Sequence, residues 1–194
     1  MQITKMKRIA IFASGSGTNA EAIMKHFEGS NLAKVCLLVS NKADAYALKR
    51  AAQFKVPTFT VHQKEDFTSR QFVKFLKKAY KIDLIILAGY LWLIPKELIL
   101  EYPNKIVNIH PALLPDYGGK GMYGDRVHEA VVANKEKESG ITIHYVNENY
   151  DEGHTIYQES FKLKKDETPE TLASKIHELE HKIYPHVIEQ LIRG

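Results

Sequence analysis

The sequence predicts an α/β fold: a doubly wound, mostly parallel, Rossmann-like sheet with an antiparallel addition near its C-terminal end. Short apolar runs alternate with amphipathic stretches through residue 109, the order expected of strands separated by helices. Runs such as 83–88 show no polar alternation, as expected when helices cover both faces of a parallel sheet. Beyond residue 138, two further strand-like stretches are separated only by a turn, which predicts an antiparallel pair.

Each element has a local reason in the sequence. Apolar runs predict strands at 8–13, 34–40, 57–61, 83–88 and 105–109, and the amphipathic stretches between them predict helices at 19–28, 44–54, 66–80 and 95–101. A loop with four glycines follows at 111–124, then a helix near 125–135, then strands at 140–147 and 154–163 around the turn 147–153. Thr168 and Pro169 suit the cap and first position of the last helix. No repeat or linker interrupts this order, so we expect a single domain, 1–194.

The composition is that of an ordinary globular protein and argues against several classes. Of 194 residues, 44% are apolar and 26% are charged. The net charge of +4 is spread over interspersed lysines and acids, so we expect no binding of nucleic acid. No apolar stretch approaches the roughly 20 residues that cross a bilayer, so we expect no membrane association. The single cysteine, Cys36, fits a cytoplasmic setting. We also expect a monomer or weak homodimer, with small molecules as substrates.

The segment Asn108–Pro115 carries the strongest chemical signal. In an extended chain, residues i and i+2 project from the same face, so Asn108 and His110 can point at one substrate while Ile109 points away. Pro111 biases His110 toward extended geometry. An amide donor beside a titratable imidazole suits acyl-type chemistry, which needs an oxyanion stabilised and a proton moved. The alternative is a strand end with two polar residues.

A turn with two glycines, Ser14–Ala20, follows the first predicted strand. The free N–H groups at the start of the next helix suit a phosphate, and the glycine spacing also fits a dinucleotide fingerprint. That fingerprint requires an acid at the end of the second strand, where residues 39–42 have none, so a mononucleotide-like phosphate is favoured. A turn without a ligand remains an alternative, as does a non-catalytic NADP-binding module with Lys42 near the ribose phosphate.

The segment His177–His181 places two histidines one helical turn apart with a glutamate between them, as in helical zinc peptidases. Tyr184 and Val187 stand where the extended form of that motif has glycine and histidine. On a helical projection both histidines lie opposite the apolar positions, so we expect surface histidines and no metal. Glu180 differs, because it borders the apolar sector and can reach into a cleft.

Three further features have both a structural and a functional interpretation. Asp151 lies in a turn, where acidic residues are usually turn formers. His144 is a lone histidine on a strand, which is more often a structural group than a catalyst. The run Leu91–Ile94 is either core or the wall of a pocket for a flat aromatic ligand. The patterns alone leave these alternatives open.

Taken in order, these segments resemble the glycinamide ribonucleotide transformylases, the folate-dependent formyltransferases of purine synthesis. Ser14–Asn19 resembles the phosphate loop of that family. Asn108–Pro115 resembles the formyltransferase signature, with Tyr150–Gly153 as its distant acidic partner. The segments 40–45, 87–90 and 180–185 resemble three further parts of the family, so the resemblance covers nearly the whole chain.

The resemblance implies a set of site residues. The catalytic group is Asn108, His110 and Asp151, with His144 in a supporting position. The substrate phosphate is held by Gly17, Thr18 and Asn19, with Glu180 near the ribose. The folate contacts are Arg70, Leu91, Trp92, Leu93, Ile94 and Asn108. The chain also departs from well-known relatives, which carry arginine in place of Trp92, commonly serine in place of Ala112, and fewer glycines in the loop at 118–124.

The resemblance also implies the reaction, direct transfer of a formyl group from 10-formyltetrahydrofolate to the amine of 5-phosphoribosylglycinamide in de novo purine (IMP) biosynthesis. Attack by the amine creates a tetrahedral oxyanion to which Asn108 can donate, while His110 assists proton transfer without a metal or a covalent intermediate. We expect Asp151 to raise the pKa of His110. Two related enzymes, methionyl-tRNA formyltransferase and formyltetrahydrofolate hydrolase, are expected to carry an additional domain.

Overall fold

One seven-stranded sheet forms the centre of the molecule. The computed structural model describes residues 5–194, and its strands are β1 (Lys7–Phe12), β2 (Ala33–Ser40), β3 (Thr58–Thr60), β4 (Leu84–Leu87), β5 (Ile106–His110), β6 (Glu138–Tyr145) and β7 (Thr155–Lys162). They lie in the order β3-β2-β1-β4-β5-β6-β7. The first five pair in parallel, whereas β6 and β7 are added antiparallel beside β5. The predicted fold class is therefore confirmed; the first four residues of the predicted domain lie outside the described part.

The helices follow the prediction with one difference. They are α1 (Thr18–His26), α2 (Tyr46–Gln53), α3 (Lys64–Phe67), α4 (Arg70–Lys74), α5 (Lys96–Glu101), α6 (Asp125–Ala133) and α7 (Pro169–Arg193). The single helix predicted at 66–80 is wrong, because that stretch is divided into α3, α4 and a π-helical segment, Phe75–Ala79. Ser69 makes the break: its backbone is extended and its hydroxyl accepts a hydrogen bond from Phe72 N–H at 3.1 Å, which caps α4.

Apolar layers cover both faces of the sheet. Ile9 and Ile11 of β1 pack into the layer beneath α1, α2, α6 and α7. Ala10 and Phe12 of the same strand pack into the opposite layer, with α4 and α5. Central strands such as β4 and β5 have no solvent-facing side, which explains their apolar sequences, whereas the edge strand β7 alternates with exposed residues. Within residues 5–194, no helix combines the length and the apolar character that a bilayer span requires.

The order of the strands produces a crevice beside β1. The chain places β2 on one side of β1 and β4 on the other, and ligands bind at such switch points, outside the carboxyl ends of the strands. Ser14, which closely follows β1, joins the loops there. Its hydroxyl donates to Asn41 Oδ1 at 2.6 Å and accepts from Leu91 N–H at 2.9 Å. The loops after β1, β2 and β4 are thereby held together.

Tyr184 of α7 supports the floor of this crevice. Its side chain is fully buried, and its hydroxyl lies 3.0 Å from the carbonyl oxygen of Leu87 and 3.1 Å from that of Val107. These carbonyls belong to the last residue of β4 and the second residue of β5. A single phenolic hydroxyl thus links the last helix to the two strands from which the site loops emerge.

Replacing Tyr184 with phenylalanine removes this link and leaves two carbonyl groups without the hydroxyl. We expect Tyr184→Phe to lower the free energy of unfolding by about 1–3 kcal/mol, measured by urea denaturation. Tyr102→Phe is the matched control, because the hydroxyl of Tyr102 is buried and makes no hydrogen bond within the described residues. Equal losses of stability in the two variants would contradict the role given to the Tyr184 hydroxyl.

Candidate active site

A cavity of about 580 Å³ opens at the switch point. Nearly all the residues predicted for the site line it: Gly17, Thr18, Asn19, Leu91, Trp92, Leu93, Ile94, Asn108, His110, His144, Asp151 and Glu180. Arg70 is the exception, since it lies exposed at the start of α4 and is absent from the cavity wall. Its predicted contact with folate stays a prediction.

Asn108 and His110 project from the same face of β5, as expected of residues two positions apart in a strand. Asn108 and His110 both line the cavity; Ile109 between them also borders it, but it belongs to the apolar layer beneath α6 and α7. Asn108 is paired across the strands with His144, and His110 with Thr142. The antiparallel strand β6 therefore brings His144 to the face that carries the amide and the imidazole.

His110 is held at both ring nitrogens. Its Nε2 lies 2.8 Å from the carbonyl oxygen of Tyr117, which can only accept, so this nitrogen carries a hydrogen. Its Nδ1 lies 3.5 Å from Asp151 Oδ2. Burial lowers the pKa of His110 below its ordinary value of 6.5, and the charge of Asp151 and the Tyr117 hydrogen bond oppose that effect without overcoming it. The predicted raising effect of Asp151 is therefore present, and burial is the larger effect.

Asp151 is fixed by its backbone and by several donors. Its φ of 58° is a left-handed conformation that aspartate adopts more readily than most residues. Oδ2 accepts a hydrogen bond from Gly119 N–H at 3.0 Å, and Oδ1 lies 3.4 Å from Asn108 Nδ2. Burial raises the pKa of Asp151, but the nearby His144 ring, the charge of His110 and the Gly119 N–H together hold it below its ordinary value. Asp151 is accordingly a carboxylate at neutral pH.

The turn that carries Asp151 requires a glycine. A Cβ atom at Gly153 would lie 1.6 Å from the carbonyl oxygen of Tyr145, so any side chain there would displace the turn from β6. Gly153 thereby permits the close approach that places Asp151 above β5. The acidic turn residue singled out in the sequence reaches the Asn108–His110 pair for this reason.

His144 sets the orientation of the Asn108 amide. Its Nδ1 lies 2.9 Å from the carbonyl oxygen of Tyr145 and so carries the hydrogen. Its Nε2 is then an acceptor in the neutral ring, and it lies 3.1 Å from Asn108 Nδ2. The amide nitrogen, rather than the amide oxygen, consequently faces His144 and Asp151.

The turn after β1 has the geometry of an anion site. Gly17 precedes α1 with φ of 74°, and a Cβ atom there would lie 2.5 Å from the Cβ of Ala47, so only glycine fits. The first N–H groups of α1, from Thr18 onward, have no intrahelical acceptor. They border the cavity at the positive end of a nine-residue helix.

Glu180 joins α7 to this turn. It is 5% exposed, and its Oε2 accepts a hydrogen bond from Asn19 Nδ2 at 2.8 Å. Burial raises the pKa of Glu180 to about 7, although the Asn19 hydrogen bond lowers it. The predicted position at the edge of the apolar sector is confirmed, and the carboxyl group is protonated in a large fraction of molecules at neutral pH.

The segment after β4 forms the apolar side of the cavity. Ile94 is buried, whereas Leu91 and Leu93 are exposed at the mouth. Trp92 packs edge-on against Phe67 at 6.1 Å between ring centroids, and Lys64 Nζ lies 5.8 Å from the centre of the indole ring. A second cavity of about 390 Å³ is lined by the same four residues and by Lys64, Phe67, Thr68, Pro95, Lys96, Glu148 and Tyr150.

The histidines outside β5 and β6 differ from the prediction in part. His177 is exposed as predicted, yet it lines the cavity. His181 was predicted to face solvent, but it is half-buried, with its Nε2 enclosed, because α1 packs against α7. Sequence reasoning missed His128, a buried histidine of α6 in the cavity wall, because a single histidine in an amphipathic helix carries no motif. Among residues 5–194, no three side chains of His, Cys, Asp or Glu are arranged to hold a metal ion.

Comparison with known proteins agrees with this geometry. Residues 7–188 match the formyl transferase family. Phosphoribosylglycinamide formyltransferase of Bacillus subtilis is 39% identical over 191 residues, which cover 96% of this chain and 95% of that protein. The chloroplastic protein of the same name from Arabidopsis thaliana is 40% identical over 190 residues, which cover 95% of this chain and 65% of the plant protein's length.

Solved structures show the same relationship. Glycinamide ribonucleotide transformylase 1 from Symbiobacterium toebii superposes with a TM-score of 0.87 at 33% identity, over 98% of this chain and 90% of that one. Phosphoribosylglycinamide formyltransferase from Bacillus halodurans superposes with a TM-score of 0.85 at 37% identity, over 96% and 95% of the two chains. The sequence matches and the shared architecture together establish that this chain belongs to the formyl transferase family.

Proposed function

We propose that this chain transfers a formyl group from 10-formyltetrahydrofolate to the amine of 5-phosphoribosylglycinamide, by direct attack, in purine biosynthesis. The observation that carries the proposal is that one cavity contains both a phosphate-type helix terminus and the cluster of Asn108, His110 and Asp151. The relatives named phosphoribosylglycinamide formyltransferase support the choice of substrate.

The phosphate of the substrate would occupy the start of α1. Backbone N–H groups of Gly17, Thr18 and Asn19 border the cavity there, and the helix dipole favours negative charge at this end. Glu180, joined to Asn19, would then meet the ribose hydroxyls. The amine lies at the other end of the substrate and would extend toward β5.

The folate would lie along the apolar segment Leu91–Ile94. An apolar wall with a few polar groups is the usual form of a site for a flat ring system. Trp92 offers an aromatic surface in place of the charge that arginine supplies in well-known relatives. Bound there, 10-formyltetrahydrofolate would supply the reactive formyl carbon, and the residues of this chain would position it and move protons.

Asn108 would stabilise the oxyanion that forms when the amine attacks. One of its Nδ2 hydrogens faces His144 Nε2 at 3.1 Å, while the contact with Asp151 Oδ1 is long, at 3.4 Å. The second hydrogen is therefore weakly engaged and available to a developing negative charge. Loss of one such donor typically costs about 3–4 kcal/mol of transition-state stabilisation.

His110 and Asp151 would manage the protons. The amine must lose a proton, and the departing folate nitrogen must gain one. The imidazole of His110 can carry a proton between them, because burial lowers its pKa while the carboxylate of Asp151 stabilises the charged form. Because the net effect lowers the pKa of His110, the neutral ring is favoured and can accept a proton from the attacking amine.

The first test is an assay of the purified protein with both substrates. We expect tetrahydrofolate to form stoichiometrically with formylated phosphoribosylglycinamide, monitored by the absorbance of the folate and by mass spectrometry of the product. Omission of either substrate should abolish the signal. Absence of turnover would reject the proposal, and tight binding of NADPH in a fluorescence titration would favour the NADP-binding alternative.

The second test concerns the proton-transfer pair. We expect His110→Ala and Asp151→Asn to lower kcat by about 10²–10⁴-fold while the KM for the phosphate substrate changes little. In Asp151→Asn the apparent pKa of the kcat profile should also move to lower pH, because the charge that stabilises the imidazolium is gone.

Asp116→Asn and His154→Ala are the matched controls for this pair, because both side chains are exposed and absent from the cavity wall. They should retain the kcat of the unaltered protein. A His110→Ala variant with near-normal kcat would remove the proposed role of the imidazole.

The third test concerns the proton on Glu180. Its pKa is about 7 in the fold and 4.5 when exposed, so the folded state holds the proton more tightly and stability falls as pH rises from about 4.5 to about 7. Between pH 5 and pH 8 the unfolding free energy of the unaltered protein should fall by an amount on the order of 3 kcal/mol because of Glu180. We expect this fall to be absent in Glu180→Gln. The exposed Glu178→Gln on the same helix should keep the pH dependence of the unaltered protein. Identical pH dependence in the Glu180→Gln variant would contradict the raised pKa.

A further inference from the structure

His128 has no part in the chemistry described above, yet it lines the cavity. It is 2% exposed and projects from α6. Its Nδ1 is buried and makes no hydrogen bond with any residue from 5 to 194. Buried polar atoms in folded proteins are almost always hydrogen-bonded, so an exception needs a specific explanation.

The other two buried histidines make the contrast clear. His110 engages Tyr117 with Nε2 and faces Asp151 with Nδ1. His144 engages Tyr145 with Nδ1 and Asn108 with Nε2. Both rings face polar protein groups at both nitrogens. Of the three buried rings, that of His128 has an enclosed nitrogen without a hydrogen-bond partner among residues 5–194.

His128 shares the cavity wall with groups from both ends of the proposed substrate site. Burial lowers the pKa of His128, and positive charge on His177 and His110 lowers it further, whereas Asp125 raises it. His128 therefore interacts electrostatically with both histidines. His110 stands at the transfer centre. His177 lies one helical turn before Glu180, which is joined to the phosphate turn. A neutral imidazole at this place can accept a hydrogen bond through its unprotonated nitrogen.

We infer that His128 is a substrate-binding residue whose Nδ1 accepts a hydrogen bond from the amide N–H of the glycinamide segment. This inference rests on the proposed function. The phosphate and ribose occupy the end of the cavity at α1 and Glu180, and the amine occupies the end at His110. The amide N–H is the hydrogen-bond donor between those ends, and Nδ1 of His128 is a buried acceptor in the cavity wall that has no partner among the described residues.

A pair of isosteric variants tests the inference. Asparagine places its amide group close to where Nδ1 of histidine lies, because both groups are joined through Cβ and Cγ. Leucine has the same shape without an acceptor. We expect His128→Leu to weaken binding of phosphoribosylglycinamide about tenfold, while His128→Asn stays close to the unaltered protein. Isothermal titration of the full chain with phosphoribosylglycinamide alone measures this difference without turnover.

The two variants lose the same ring packing, so a structural role of His128 would weaken binding equally in both. Equal weakening, or unchanged binding in His128→Leu, overturns the inference. The KM for 10-formyltetrahydrofolate should be the same in all three proteins, because His128 lies on the side of the phosphate substrate. Failure of the unaltered protein to bind phosphoribosylglycinamide contradicts the proposed function itself, which separates that outcome from failure of the role of His128. Urea unfolding of both variants verifies that they are folded.

Discussion

The candidate site depends on how the negative charge of one buried carboxylate, that of Asp151, is balanced. Asp151 is removed from most solvent, and an isolated charge in that position would be strongly unfavourable. The Gly119 N–H, the Asn108 amide and the imidazoles of His110 and His144 face its two oxygens from separate parts of the chain. Removing any of these groups would leave the charge of Asp151 incompletely balanced. The glycine-rich loop, strands β5 and β6 and the turn 147–153 are therefore energetically coupled through Asp151.

The antiparallel addition makes this arrangement possible. A parallel sheet alone would present only the carboxyl ends of β4 and β5 to the crevice. Strand β6 runs the other way, pairs His144 with Asn108, and leads directly into the turn that carries Asp151. Gly153 lets that turn lie against the carbonyl of Tyr145. The acid is thus placed by short local connections although 41 positions of sequence separate it from His110.

Much of this architecture follows from local sequence signals, and the rest required tertiary contacts. Apolar runs predicted the strands because burial on both faces leaves no polar alternation. The broken helix at 66–80 was missed because Ser69 changes from a helix residue to a cap through a single hydrogen bond. The sequence predicted the raising effect of Asp151 on the pKa of His110, but the larger lowering effect of burial cannot be read from the motif. His128 belongs to no motif, and only the structure shows that its buried Nδ1 has no hydrogen-bond partner among the described residues.

Tyr117 lies between two parts of the glycine-rich loop 111–124 that differ in their contacts. Its backbone is left-handed and its carbonyl orients His110, while its hydroxyl donates to Glu136 and accepts from Asn134 beyond the end of α6. The stretch before it is anchored through Thr142, and Asp151 anchors Gly119 just after it. Residues 120–123 also border the cavity, and the N–H of Met122 donates to the carbonyl oxygen of Gly119 at 3.1 Å. Substitutions of the side chains at 120, 122 and 123 can therefore alter the cavity wall without removing a group that holds His110 or Asp151.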